Sequence, residues 1–87
     1  MEITRIFYDT GFEREFRKLP REIQMRAAKT ENLFRGNPFH PSLRLHKLEG
    51  PLKQYWSISI NRSYRIICKI DGKEAMFISI GTHSIYE

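Results

Sequence analysis

The chain has 87 residues, 15 of them lysine or arginine against 10 aspartate or glutamate, for a net charge of +5. That length supports one modest core, so residues 1–87 are read as a single domain, and a single cysteine, Cys68, excludes an internal disulfide. No apolar run reaches membrane-span length and the first residues lack a secretion-signal pattern; a soluble, cytoplasmic protein with a polyanionic or acidic partner, and no membrane partner, is expected.

"ITRIFY" opens the chain as a short β-branched strand. The period then changes: Phe12, Phe16 and Leu19 recur at helical spacing, and Ile23, Ala27, Thr30 and Phe34 continue it. Pro20 disfavours an α conformation at Leu19 and suits the first turn of a new helix, so two helices are predicted, the first capped by Asp9 or Thr10. Gly36-Asn37-Pro38 ends the second. Arg14, Arg17, Lys18, Arg21, Arg26 and Lys29 read as a solvated face, with Glu13 and Arg17 an i,i+4 pair.

From Phe39 the pattern alternates between turn formers. Leu43, Leu45 and Lys47 share one parity of a strand that stops at Glu49-Gly50-Pro51. Trp56, Ile58 and Ile60 share a face of the next strand, a third covers about residues 64–70, and a fourth carries Met76, Ile78 and Ile80. A three-residue loop, Asn61-Arg62-Ser63, pairs Ile60 with Tyr64, Ile58 with Ile66 and Trp56 with Cys68. A two-residue Asp71-Gly72 turn then puts Met76, Ile78 and Ile80 on the opposite face, beside Ser57, Ser59 and Arg65. The predicted fold is α+β: β-α-α-β-β-β(-β), with two N-terminal helices on one face of a small, mainly antiparallel sheet. Its other face is mixed, polar and apolar.

On that mixed face Arg65, with Ser57 and Ser59, has the chemistry to hold a phosphate bidentately. His83 is a general acid or base candidate, but straight alternation sends it to the core side, so Gly81 is expected to bend or bulge the strand and re-aim it. Arg44, His46 and Lys47 read either as edge-protecting charges or as a phosphate-binding rim. His40 reads as a loop residue and Trp56 as core. The histidines and Cys68 lack paired metal-ligand spacing, and glycine-rich phosphate loops are absent, so any catalysis is expected to need no metal or other cofactor.

The order of elements, with "FEREFRKLP", "LHKLEGPLKQYWSISINRSYRIICKID" and a closing "ISIGTHSIYE", resembles the RelE/ParE superfamily of toxins from type II toxin–antitoxin systems. The terminal Gly-x-His-x-x-aromatic pattern is similar to the YafQ-like branch. The resemblance implies a growth-inhibiting endoribonuclease, an mRNA interferase acting on messenger RNA at the ribosome, and a cognate antitoxin; the complex with antitoxin is implied to bind operator DNA. By position, Arg65 is implied to stabilise the transition state, His83 to be the acid or base, and Tyr86 to position a nucleotide. Arg44, His46, Lys47, Ser57, Ser59 and Arg62 are the implied RNA contacts. Two departures stand out: Ser59 replaces a histidine of the YafQ-like pattern and Ser79 an arginine. The alternatives are a non-nucleolytic toxin of the ParE type, which inhibits DNA gyrase, and an inactive antitoxin-binding relative.

Overall fold

The computed structural model describes residues 2–86, apart from the side chains of His83 and Tyr86. Among the described residues are β1 (Arg5–Tyr8), α1 (Thr10–Arg17), α2 (Arg21–Gly36), β2 (His46–Lys47), β3 (Trp56–Ser59), β4 (Arg65–Asp71) and β5 (Glu74–Gly81). Single 3-10 turns occupy Pro41–Leu43, Gly50–Leu52 and His83–Tyr86. The sheet runs β1-β5-β4-β3-β2, antiparallel throughout except that β1 lies parallel to β5. Both helices pack on one face, giving the α+β arrangement that the periodicities predict.

Local chemistry starts and stops the helices. The Asp9 carboxylate accepts from Gly11 N at 2.9 Å and caps α1, a contact worth about 1 kcal/mol. Pro20 sits at the N-cap of α2 and Asn37 closes it. Phe12 from α1 and Ala27, Thr30 and Phe34 from α2 are buried, as their spacing requires; Thr30 satisfies its hydroxyl on Arg26 O at 2.9 Å. Phe77 is the hub, its ring centroid 5.5 Å from Phe12, 5.7 Å from Phe34 and 5.8 Å from Tyr8. The expected Glu13–Arg17 ion pair is not among the described ones; the helical pairs are Glu22–Arg26 and Glu31–Arg35.

β3 and β4 pair as predicted, with Ile58 opposite Ile66 and Trp56 opposite Cys68. The next hairpin differs. Asp71 pairs with Glu74, so the turn residues are Gly72 and Lys73 rather than Asp71 and Gly72, and Gly72 supplies the positive φ of 61°. Met76 still reaches the outer face, opposite Lys69, but a bulge follows: Cys68 faces Phe77 while Ile67 faces Ser79, leaving Ile78 as the extra residue. Alternation resets there. Ile80, expected on the outer face, is instead in the core at 2 % exposure, opposite Ile66. Uninterrupted pairing would send Ser79 inward and Ile80 out, forfeiting roughly 1.5–3 kcal/mol for the isoleucine alone.

Two further expectations are corrected. The strand predicted through Leu43 and Leu45 shrinks to His46–Lys47, because Leu43 is buried by the 3-10 turn that His40 and Pro41 initiate. The outer face is also less open than its composition suggests, since Ser57 and Ile67 are buried there. Its exposed apolar surface lies at the far end, where Phe7 stands opposite Met76.

Candidate functional site

The β3–β4 turn organises Arg65. Asn61 Oδ1 accepts from Ser63 N at 2.9 Å and from Tyr64 N at 2.8 Å, an Asx arrangement that closes the loop. Ser59 Oγ donates to Asn61 O at 3.0 Å. Arg65 Nη1 donates to that same carbonyl and to Tyr64 O, the latter at 3.0 Å. The guanidinium is therefore seated on two main-chain carbonyls, and among the described residues both of its hydrogen bonds leave from Nη1. Among the described residues its Nε and Nη2 hydrogens make no bond, and their planar edge is the geometry that suits bidentate contact with an anion.

Cross-strand register brings other candidates to the same face. Ser59 lies opposite Arg65, and Arg65 opposite Gly81. One pair along, His46, Ser57, Ile67 and Ser79 form a row. Two strand spacings and two residues separate the His46 and Arg65 backbones, roughly 10–12 Å, which a histidine and an arginine side chain together can span around a phosphate. His46 Nδ1 lies 3.0 Å from Arg44 O. A carbonyl cannot donate, so Nδ1 is the donor in this contact, and Nε2 is the ring nitrogen that it leaves unengaged. His40 has the opposite assignment: its Nδ1 accepts from Ser42 N at 3.2 Å and caps the 3-10 turn, a structural task.

Lys47 does not join this row. It pairs with Trp56 on the helix-facing side, its ammonium 5.8 Å from the indole ring, so Lys47 and His46 project to opposite faces and do not form one rim. Arg44 precedes β2 in a left-handed conformation at φ 47°, and Arg62 is exposed at the turn.

The side chains of His83 and Tyr86 lie outside the described residues, but the backbone that carries them is described. The bulge at Ile78, not a bend at Gly81, resets the strand, so Ser79 and Gly81 share the face of Arg65. Gly81 serves a different purpose. A Cβ there would stand 2.6 Å from Ile85 Cγ2, so the missing side chain lets the His83–Tyr86 turn fold back against the sheet beside Arg65.

Sequence reasoning assigned Arg26 and Lys29 to a solvated helix face. Both are exposed, as expected, and they also border a groove of about 180 Å³ with Ser42, Leu43 and Ser59, next to the Arg65 turn. The available signal was their i,i+3 spacing beside buried Thr30, but only packing of α2 on the Pro41–Leu43 turn connects them to Ser59. A separate, largely apolar cleft of about 300 Å³ lies between α1 and α2, floored by Phe12, Phe77 and Ile66. At its rim Tyr8 donates to Glu31, which also pairs with Arg35 at 3.1 Å. Burial, then the Glu31 hydrogen bond and charge, push the Tyr8 phenol up. No cluster of three or more potential metal ligands occurs among the described residues.

The fold, two helices over a five-stranded sheet, together with the family match, places this chain among the small toxins of the RelE/ParE superfamily. The chain belongs to the ParE-like toxin domain family, whose model matches residues 21–87. Among solved structures, YafQ from E. coli is similar over 93% of this chain and 94% of that one, at TM-score 0.79 and 19% identity. The E. coli DinJ-YafQ toxin–antitoxin complex gives 0.77 and 18%, covering 98% and 97%. The Mycobacterium tuberculosis toxin–antitoxin complex RelBE2 gives 0.75 and 20%, covering 95% and 93%. At these identities the likeness is one of fold. No curated protein sequence gave a significant match.

Proposed function

We propose that this toxin is a metal-free endoribonuclease acting on ribosome-bound messenger RNA. The carrying observation is Arg65, whose anchored guanidinium keeps its Nε and Nη2 edge for a phosphate on the face that also holds His46 and the C-terminal turn. In the reaction a base takes the ribose 2′-hydroxyl proton, the 2′-oxygen bonds to phosphorus, and the bond to the 5′-oxygen breaks as an acid protonates it. The products are a cyclic 2′,3′-phosphate and a 5′-hydroxyl. Arg65 neutralises the charge that builds on the phosphorane. His83 acts as acid or base, His46 Nε2 is placed to share that work, and Tyr86 positions a base. Arg44 and Arg62, with Arg26, Lys29 and Lys47 on the helix side of the sheet, contribute sequence-independent backbone attraction.

The same reading includes a cytoplasmic location and a cognate antitoxin whose acidic segment suits a chain of net charge +5. Two of the similar structures are toxin–antitoxin complexes, and the pair is proposed to bind its operator DNA.

Primer extension on messenger RNA after induction tests the nuclease reading. Wild type should give new cuts in translated regions, and Arg65→Ala and His83→Ala should lose them at least a hundredfold. Growth arrest without new cuts would favour the second reading, gyrase inhibition of the ParE type, to which the ParE-like family model lends weight; a supercoiling assay with purified gyrase would then register it.

A further inference from the structure

We propose that Asn61 is a positioning residue for Arg65, acting through the β3–β4 turn; its catalytic consequence rests on the ribonuclease reading above. Asn61 uses both of its oxygens. Its side-chain Oδ1 holds Ser63 N and Tyr64 N, and its main-chain carbonyl receives Ser59 Oγ and Arg65 Nη1. Tyr64 O, the second seat of the guanidinium, also accepts from Ile60 N at 3.0 Å. The side chain of Asn61 therefore sets the turn, the turn sets the two carbonyls, and the carbonyls set the plane of the guanidinium.

The two Nη1 hydrogens are matched to two acceptors, which fixes a rigid fork in orientation as well as position. Arg65 thus meets a phosphate already aimed, and an error of about 1 Å in such an aim is worth on the order of a hundredfold in rate. Ser59 belongs to the same device: it stands where the YafQ-like pattern has a histidine, and its hydroxyl supports the carbonyl that seats Arg65. Ser59 is in this way part of the arginine's support rather than a missing acid or base.

The test measures ribosome-dependent cleavage with purified wild type, Asn61→Ala, Asn61→Asp, Arg65→Ala and the Asn61→Ala/Arg65→Ala double variant. Nitrogen-15 NMR of the Arg65 guanidinium is recorded alongside, after circular dichroism establishes that each variant folds. Asn61→Ala should lower kcat about ten- to a hundredfold with KM changed less than threefold. Asn61→Asp, which keeps the Oδ1 acceptor, should recover to within about fivefold of wild type, and the double variant should be no worse than Arg65→Ala. Rotation about the Arg65 Cζ–Nη bonds should be slow in wild type and Asn61→Asp and fast in Asn61→Ala. Unchanged kcat in Asn61→Ala, additive losses in the double variant, or equal rotation rates would overturn the proposal. A wild type that cuts nothing defeats the ribonuclease reading instead, and the NMR comparison still decides whether Asn61 holds Arg65.

Discussion

Glu15, in the last turns of α1, accepts from Ser79 Oγ at 2.9 Å with the same carboxylate oxygen that accepts from Ile80 N at 3.2 Å. It does so at the bulge, where β1 has already ended and the edge of β5 has no strand beside it. A helix side chain thus satisfies a sheet-edge N–H and secures the register that delivers Gly81 opposite Arg65. Hydrogen bonds to a charged acceptor contribute about 1.5–3 kcal/mol. Glu15→Ala should lower stability by about that amount in urea titration, and Ser79→Ala by about 1 kcal/mol. An unchanged midpoint in Glu15→Ala would remove Glu15 from this role.

Gly81 is required for close approach, not for an unusual backbone angle, and this separates activity from stability. Gly81→Ala forces its Cβ on Ile85. Stability should fall by no more than about 1 kcal/mol, while growth inhibition drops roughly tenfold as the C-terminal turn shifts. Trimming the obstacle in Gly81→Ala/Ile85→Ala should recover part of the loss. Full toxicity in Gly81→Ala would show that the turn's seat on the sheet is irrelevant to function.

Arg44 holds a left-handed conformation at φ 47° as the C-cap of the Pro41–Leu43 turn. Non-glycine residues pay about 1–2 kcal/mol for that region, partly offset by the unfolded-chain entropy of glycine. Arg44→Gly should therefore raise the unfolding free energy from urea titration by about 0.5–1 kcal/mol and, on the proposed ribonuclease reading, weaken RNA affinity and its salt dependence. A variant that is less stable would indicate that the arginine side chain packs to greater effect than its backbone strains.

Burial pushes the Cys68 thiol from an ordinary 9.0 up to about 12, and burial with the Glu31 contact raises Tyr8. Both groups hold their protons more tightly folded than unfolded. Their contribution is complete below the unfolded pKa values, and is lost as pH rises through the folded ones. Stability should fall from about pH 9 toward pH 12, first through Cys68 and from about pH 10 also through Tyr8. Cys68→Ala should lower the baseline yet flatten the slope between pH 9 and 10 in urea titrations. The native thiol should also resist alkylation at pH 8, whereas the unfolded chain reacts.

Much of this molecule was legible because its signals are local. Helical spacing of Phe12, Ala27, Thr30 and Phe34, the Asp9 cap, and the alternation that pairs Trp56 with Cys68 each depend on neighbours a few residues away. The Asn61-Arg62-Ser63 loop likewise predicts that Ser59 and Arg65 meet on one face. The bulge at Ile78 was not legible, since one inserted residue is a compromise among Glu15 at the sheet edge, the core's demand for Ile80 and the rejection of Ser79. Nor did spacing reveal that Lys47 turns to Trp56 while His46 turns to Ser57, or that Arg26, Lys29 and Ser59 border one groove. Sequence by itself determined the two helices, the extended segments from Trp56 onward and which side of β3 and β4 is apolar, because these follow from periodicity and capping; the stretch around Leu43 it did not. Only the tertiary structure decided that Gly81 stands opposite Arg65 with the C-terminal turn packed on it, because that depends on register and close packing between elements more than 60 residues apart.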